Sequence, residues 1–178
     1  MEVDGMKKAL WTGALVVCGA WLAGSSIVRA DDLSKQITGK EFDGAVVKDF
    51  YLEGNAIPTQ KRNAALLACD CGKRALVGLL DTSGYSTEIQ KKYTGMMILE
   101  KKTTVGTAMV PVGAYGFGVE KEGMGAEKLI IYDVGGGKVA ETEAKEDAGM
   151  KQPVPLQVVV AKDKPVELCL GRYCVDVK

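Results

Sequence analysis

The sequence predicts an all-β protein: a single antiparallel β-sandwich or barrel-like domain with one short helix, placed after an N-terminal signal peptide. Three observations carry this reading. Beyond residue 30 the apolar residues recur mostly with a period of two rather than 3.6. About ten such runs of strand length follow one another closely. Glycine and proline punctuate the boundaries between them. Short strands at close spacing, joined by such turns, indicate a sandwich or barrel.

The chain opens with Lys7 and Lys8, then the apolar run "ALWTGALVVCGAWLAG", then "SSIVRA" and the acidic pair Asp31-Asp32. A basic start, an apolar middle and small residues at the end form the layout of a secretory signal peptide. Ala30 is the expected cleavage point, and Met6, directly ahead of the lysines, is the expected true start. Two alternatives compete. Ala9 to Val28 approaches the roughly 20 apolar residues of an uncleaved anchor, in which case the membrane is touched only through this segment. "LVVC" would otherwise make Cys18 a lipidated residue, against which stand the bulky Val17 and the apolar stretch that continues beyond it. Cleavage leaves residues 31–178 as one domain, exported to the periplasm or secreted.

Removing the leader takes three basic and two acidic residues from balanced totals of 23 each, so the mature net charge is about −1. No broad attraction to nucleic acid or to an anionic membrane follows from such a balance. Histidine is absent from the whole chain. That removes the usual general base at neutral pH and the commonest metal ligand, and no cofactor is implied.

The elements then follow in order. "GAVVKDFYLEG" predicts a strand near 45–52. "RNAALLAC" and "RALVGLL" read as a hairpin whose turn lies near Gly72; Pro58 and Thr59 offer a helix start as the alternative for the first run. "DTSGYSTEIQKKY" breaks the alternation, with a turn at Asp81, Ser83 and Gly84 and a short helix capped at Ser86 or Thr87 and ending near Tyr93. "GMMILEKK" restarts a strand. "VGTAMVPVGAYGFGVE" supplies two more around a turn at 111–113, and "KLIIYDVGGGKVAETE" is a hairpin with residues 135–137 at its tip. "EAKEDAGMKQPVP" reads as a charged loop, and "LQVVVAKDKPVELCLGRYCVDV" as three strands, the last two a hairpin.

The cysteines are the first candidates for chemistry. In "CLGRYC", a two-residue turn at Gly171-Arg172 sets Cys169 directly opposite Cys174 at a non-hydrogen-bonded position. Cα atoms there lie roughly 4.5 Å apart, within disulfide range. In "ACDCG", Cys69 and Cys71 would share one face of a strand, and either would bridge to a neighbouring strand if the small ring between them did not close. Four cysteines allow three pairings, and the sequence does not choose among them. The preferred reading is two disulfides, favoured by an oxidising compartment. The rivals are a four-cysteine metal site and a redox-active pair. Neither pair has the C-x-x-C spacing at a helix start expected of a thiol oxidoreductase.

A second candidate is "VPVGAYGFGVE". As a strand it sets Tyr115 and Phe117 on one face and leaves Gly116 and Gly118 bare on the other. A bare strip admits close approach. It therefore reads either as a shallow binding surface formed by Tyr115, Gly116, Phe117 and Gly118 or as close sheet packing. No phosphate loop is present, since "GGGK" falls at a hairpin tip rather than between strand and helix. The P-x-G-x-Y segment, taken with the signal peptide and β pattern, resembles exported bacterial β-domain proteins of unassigned function. The resemblance covers about ten residues and implies a β-rich envelope or secreted module, without an activity or site to carry over.

Catalysis without histidine would fall to carboxylates. Asp81, Glu88 and Glu100 surround the expected helix and are the candidates for an acid/base pair on carbohydrate. No nucleophile elbow surrounds Ser83. Trp11 and Trp21 both lie in the leader, so a sugar-stacking surface would have to use tyrosine and phenylalanine. The leading expectation is thus an exported, disulfide-stapled binding or structural module whose partner is a protein or envelope component. The alternatives are a carboxylate-dependent hydrolase and a metal-thiolate protein.

Overall fold

Three apolar runs, 64–69, 75–80 and 95–99, set the plan because they are buried on both faces. Leu67, Val77 and Met97 point to one side of the sheet, while their neighbours Leu66, Leu76 and Met96 point to the other. Successive side chains of a strand alternate between faces, so a strand covered on both sides reads as a nearly continuous apolar run rather than as a strict alternation.

The computed structural model describes residues 31–122 and 126–178. The leader at 1–30, with its cleavage, anchor and lipidation readings, lies outside the described residues. The elements run β1 (Leu33–Ile37), α1 (Lys40–Ala45), β2 (Asp49–Leu52), β3 (Asn55–Cys69), β4 (Arg74–Leu80), α2 (Thr87–Lys92), β5 (Gly95–Leu99), β6 (Thr103–Val105) and β7 (Ala108–Val110). Then come β8 (Gly113–Glu122), β9 (Ala126–Asp133), β10 (Lys138–Glu146), β11 (Val154–Val159), β12 (Val166–Gly171) and β13 (Tyr173–Val177). All pair antiparallel in one 13-stranded sheet of order β1-β3-β4-β5-β8-β9-β10-β13-β12-β11, with β2 added to β3, and β6 and β7 added beside β13. The sheet curls into a half-barrel, and β11 at one end comes back against β3 near the other.

The inner core fills the curl with Leu33, Leu67, Val77, Met97, Phe117, Ile131, Leu168 and their neighbours. A second core lies on the outer face of β3, β4 and β5. There Leu66, Leu76 and Met96 are covered by Phe50 and Leu52 of β2 and by Ile89 and Tyr93 at α2.

Three expectations are corrected, and one alternative is set aside in favour of the preferred strand. The described residues form two short helices rather than one, because Phe42, Ala45 and Val46 meet the outer core at helical spacing. The strand expected from residue 45 therefore begins at Asp49. The helix start considered at Pro58 and Thr59 is instead the interior of β3, where Pro58 lies opposite Asp49 of the short strand β2. The charged stretch from Glu143 is not wholly loop: its first four residues extend β10, with Ala144 packed against the inner core. The strand expected after the 111–113 turn, the 135–137 hairpin and the C-terminal trio are present, as is the α2 cap, where the Ile89 N–H donates to Ser86 Oγ; the run expected as one strand before that turn is split at Gly106 into β6 and β7.

Candidate functional site: an acidic groove beside the terminal hairpin

β10 changes partners along its length. Residues 138–144 pair with β9, and only Lys145 and Glu146 pair with β13, opposite Cys174 and Tyr173. β13 meanwhile gives Val177 to β6, opposite Val105. Where β10 and β13 diverge, a groove of about 510 Å³ opens, lined by Gly106, Thr107, Thr142, Val175 and Cys174 among others. Its floor is fixed by a buried threonine: Thr142 Oγ1 accepts the Thr107 N–H at 3.0 Å. The Gly106 N–H donates to the Asp176 carbonyl at 2.7 Å. A side chain at Gly106 would strike Thr142 Oγ1 at 2.1 Å, and its φ of +60° favours glycine in any case.

Five carboxylates, Glu143, Glu146, Asp147, Glu167 and Asp176, surround this groove beside one cation, Lys145. They come from β10, the turn after it, β12 and β13. Among the described residues no group of three or more carboxylate or thiol side chains is arranged to hold a metal ion. The groove therefore presents dispersed negative charge along a channel rather than a chelating cluster. Such a surface attracts cations at a distance and suits a partner carrying several of them.

The cysteines anticipated from the sequence stand as two disulfides. Cys169 and Cys174 are opposite each other in the β12–β13 pair with Cα atoms 4.0 Å apart, the close spacing of a non-hydrogen-bonded position. Leu168 and Val175 beside them face the inner core, so the bridge lies on the other face, with Cys174 at the groove wall. Cys69 and Cys71 bond to each other, with Cα atoms 5.1 Å apart. The cross-strand alternative does not hold, because Cys71 lies in the turn beyond the end of β3 and not on a shared strand face. With all four sulfurs bonded pairwise, they do not form one tetrahedral thiolate set.

The strip at Tyr115, Gly116, Phe117 and Gly118 is buried throughout, which corrects the reading of it as an open binding surface. Tyr115 and Phe117 belong to the inner core. The bare face is filled by the chain's own α2: a side chain at Gly116 would meet the Tyr93 ring at 2.7 Å, and one at Gly118 would meet the Lys92 carbonyl at 2.1 Å. Close approach is real here, and it is internal.

The candidate catalytic carboxylates are not brought together. Glu100 is held by Arg74, whose Nε and Nη2 donate to Oε1 at 3.0 and 2.7 Å while its backbone N–H donates to Oε2 at 3.0 Å. This pair sits at one rim of a smaller cleft of about 200 Å³. The hydrogen bonds from Arg74 hold the Glu100 carboxyl below the usual range. Asp81 follows the far end of β4, where it accepts the Ser83 hydroxyl at 2.7 Å and the Ser83 N–H at 3.2 Å. Seven residues of β4 separate the two sites by roughly 20 Å. Glu88 lies in the first turn of α2, where it complements the helix dipole.

Sequence reasoning missed a polar cluster on the outer face. Glu53, at the β2–β3 turn, accepts the Tyr93 hydroxyl at 2.6 Å and pairs with Lys92, whose Nζ also donates to the Gly136 carbonyl at 2.8 Å. Lys92 Nζ lies 4.9 Å from the centre of the Tyr132 ring, which stands edge-on to Tyr93. These residues join the β2–β3 turn, the end of α2 and the β9–β10 tip. Their separation in sequence leaves no local signal by which to find them. Comparison with protein-family models, curated proteins and solved structures finds no match for this chain.

Proposed function

We propose that the chain is an exported, disulfide-stapled binding module whose acidic groove takes an extended, basic segment of a protein partner. The observation that carries this is the groove between β10 and β13: five carboxylates beside one lysine on walls made of sheet. A rigid sheet holds such charges in place, so a partner's cations meet them without ordering a loop. Export rests on the basic-apolar-small layout of the leader and on cysteines bonded in pairs. The wide separation of Asp81 from Glu100 argues against the hydrolase alternative.

Calorimetric titration of the purified chain with a short lysine-rich peptide tests the groove. Binding is expected at low salt and should weaken as the screening length shortens from roughly 30 Å at 0.01 M to about 8 Å at 0.15 M. A Glu143→Gln, Glu146→Gln variant should bind severalfold more weakly with its melting temperature unchanged. Equal binding by variant and parent would remove the groove and leave a structural role. Intact mass after expression with the native leader tests export, through a start at Asp31.

A further inference from the structure

The Cys69–Cys71 pair is held in a way that a staple does not require. The Gly72 N–H donates to the Cys69 carbonyl at 3.2 Å, and Gly72 lies at φ +77°. This is the tight turn plus left-handed bulge of a three-residue hairpin loop. The bulge diverts the next amide. The Cys69 N–H donates to the Lys73 carbonyl at 3.0 Å, but the Lys73 N–H, which a regular ladder would return to the Cys69 carbonyl, donates instead to Cys69 Sγ at 3.3 Å. The Lys73 carbonyl oxygen also lies 3.3 Å from that sulfur.

The two sulfurs differ in access. Cys69 is only 1% exposed, whereas Cys71 stands exposed in the turn. Asp70 between them has its carboxylate paired with Lys35 at 3.2 Å, which offsets part of the negative charge that would repel an incoming thiolate. An outside thiolate therefore meets Cys71, and the sulfur it displaces is the one with an amide donor already aimed at it. A hydrogen bond to the departing thiolate favours its departure. The ring spans a single intervening residue, so opening it returns less chain entropy to the unfolded state than opening the longer Cys169–Cys174 loop does.

We propose that Cys69–Cys71 is a thiol–disulfide exchange site that oxidises a dithiol, one equivalent per chain. The first thiolate of the dithiol attacks Cys71 Sγ. A substrate–Cys71 bond forms, the Cys69–Cys71 bond breaks, and its electron pair leaves on Cys69 Sγ, which accepts the Lys73 N–H. The second substrate thiolate then attacks the substrate sulfur of the mixed disulfide, forming the substrate disulfide and releasing the Cys71 thiolate. Two electrons pass from substrate to protein, and the two protons given up by the substrate thiols balance those taken up by Cys69 and Cys71. Once protonated, the Cys69 thiol finds an acceptor in the Lys73 carbonyl. The turn substitutes for the helix start that serves C-x-x-C sites, and the site does not depend on the groove.

The test uses the full chain at pH 7 across a series of reduced-to-oxidised dithiothreitol ratios, quenched in acid, alkylated and mapped by mass spectrometry. Cys69–Cys71 should half-open at a ratio at least about tenfold lower than Cys169–Cys174, a gap of about 30 mV, with the sheet's circular dichroism unchanged. Excess reduced glutathione, quenched within seconds, should leave its adduct on Cys71. Opening of both pairs together, an adduct on Cys69, or no adduct in a chain whose pair has opened would each overturn the proposal.

Discussion

The Tyr93 hydroxyl donates a 2.6 Å hydrogen bond to Glu53, forty residues away, and so ties the end of α2 to the β2–β3 turn. Tyr93 is otherwise buried beneath its own helix. Its phenol is pushed up by burial and by the neighbouring carboxylate, so it remains the donor across the ordinary pH range. Tyr93→Phe keeps the packing and deletes the bond. The expected loss is about 1–2 kcal/mol in urea denaturation, in the range for a hydrogen bond to a charged group. A variant as stable as the parent would show that Lys92 alone satisfies Glu53.

Gly118→Ala should damage the same region from the other side. The new methyl group would lie 2.1 Å from the Lys92 carbonyl, backbone that cannot rotate away. Displacing the end of α2 should cost about 1–3 kcal/mol, the usual range for overpacking. Gly84→Ala is the control, since nothing lies within 4 Å of its added atom. Equal melting temperatures for the two variants would rule out the close approach.

Acid should loosen the fold in a defined window. Glu53 is held below its ordinary value of 4.5 first by its hydrogen bond from Lys92, then by that from Tyr93, and Glu100 is held below 4.5 first by its hydrogen bond from Arg74. A carboxylate depressed in the folded state contributes stability above its unfolded value and loses it as pH falls through the folded one. Stability should therefore be level above pH 4.5 and decline below it. Glu53→Gln with Glu100→Gln should flatten that decline, and an unaltered acid limb would place its origin elsewhere.

The terminal hairpin should depend on its bridge. Cys169→Ala with Cys174→Ala is expected to cost about 2 kcal/mol by the loop-entropy relation for so short a span. The measurement is the urea midpoint under non-reducing conditions. Because Cys174 also lines the groove, peptide binding by the double variant at a temperature where it remains folded separates the staple from the site.

Much of this protein was legible in the sequence because it is local. Period-two alternation and turn residues specify hairpins within a few residues, so the β8 start, the 135–137 tip and the Cys169–Cys174 register followed directly. The α2 cap was readable for the same reason. Strand β3 was harder, because burial on both faces erases the alternation that distinguishes a strand from a helix.

What the sequence determined by itself was an antiparallel all-β chain, the places where it turns and the hairpin register that sets Cys169 opposite Cys174. The tertiary structure decided the rest. It placed α2 over Gly116 and Gly118, bonded Glu53 to Tyr93, and parted β10 from β13 so that carboxylates from four segments line one groove. It also turned the Lys73 amide toward a sulfur. The physical reason is range: a hairpin is set by neighbours along the chain, whereas these arrangements arise only when the curl of the sheet brings distant segments to the same few ångströms.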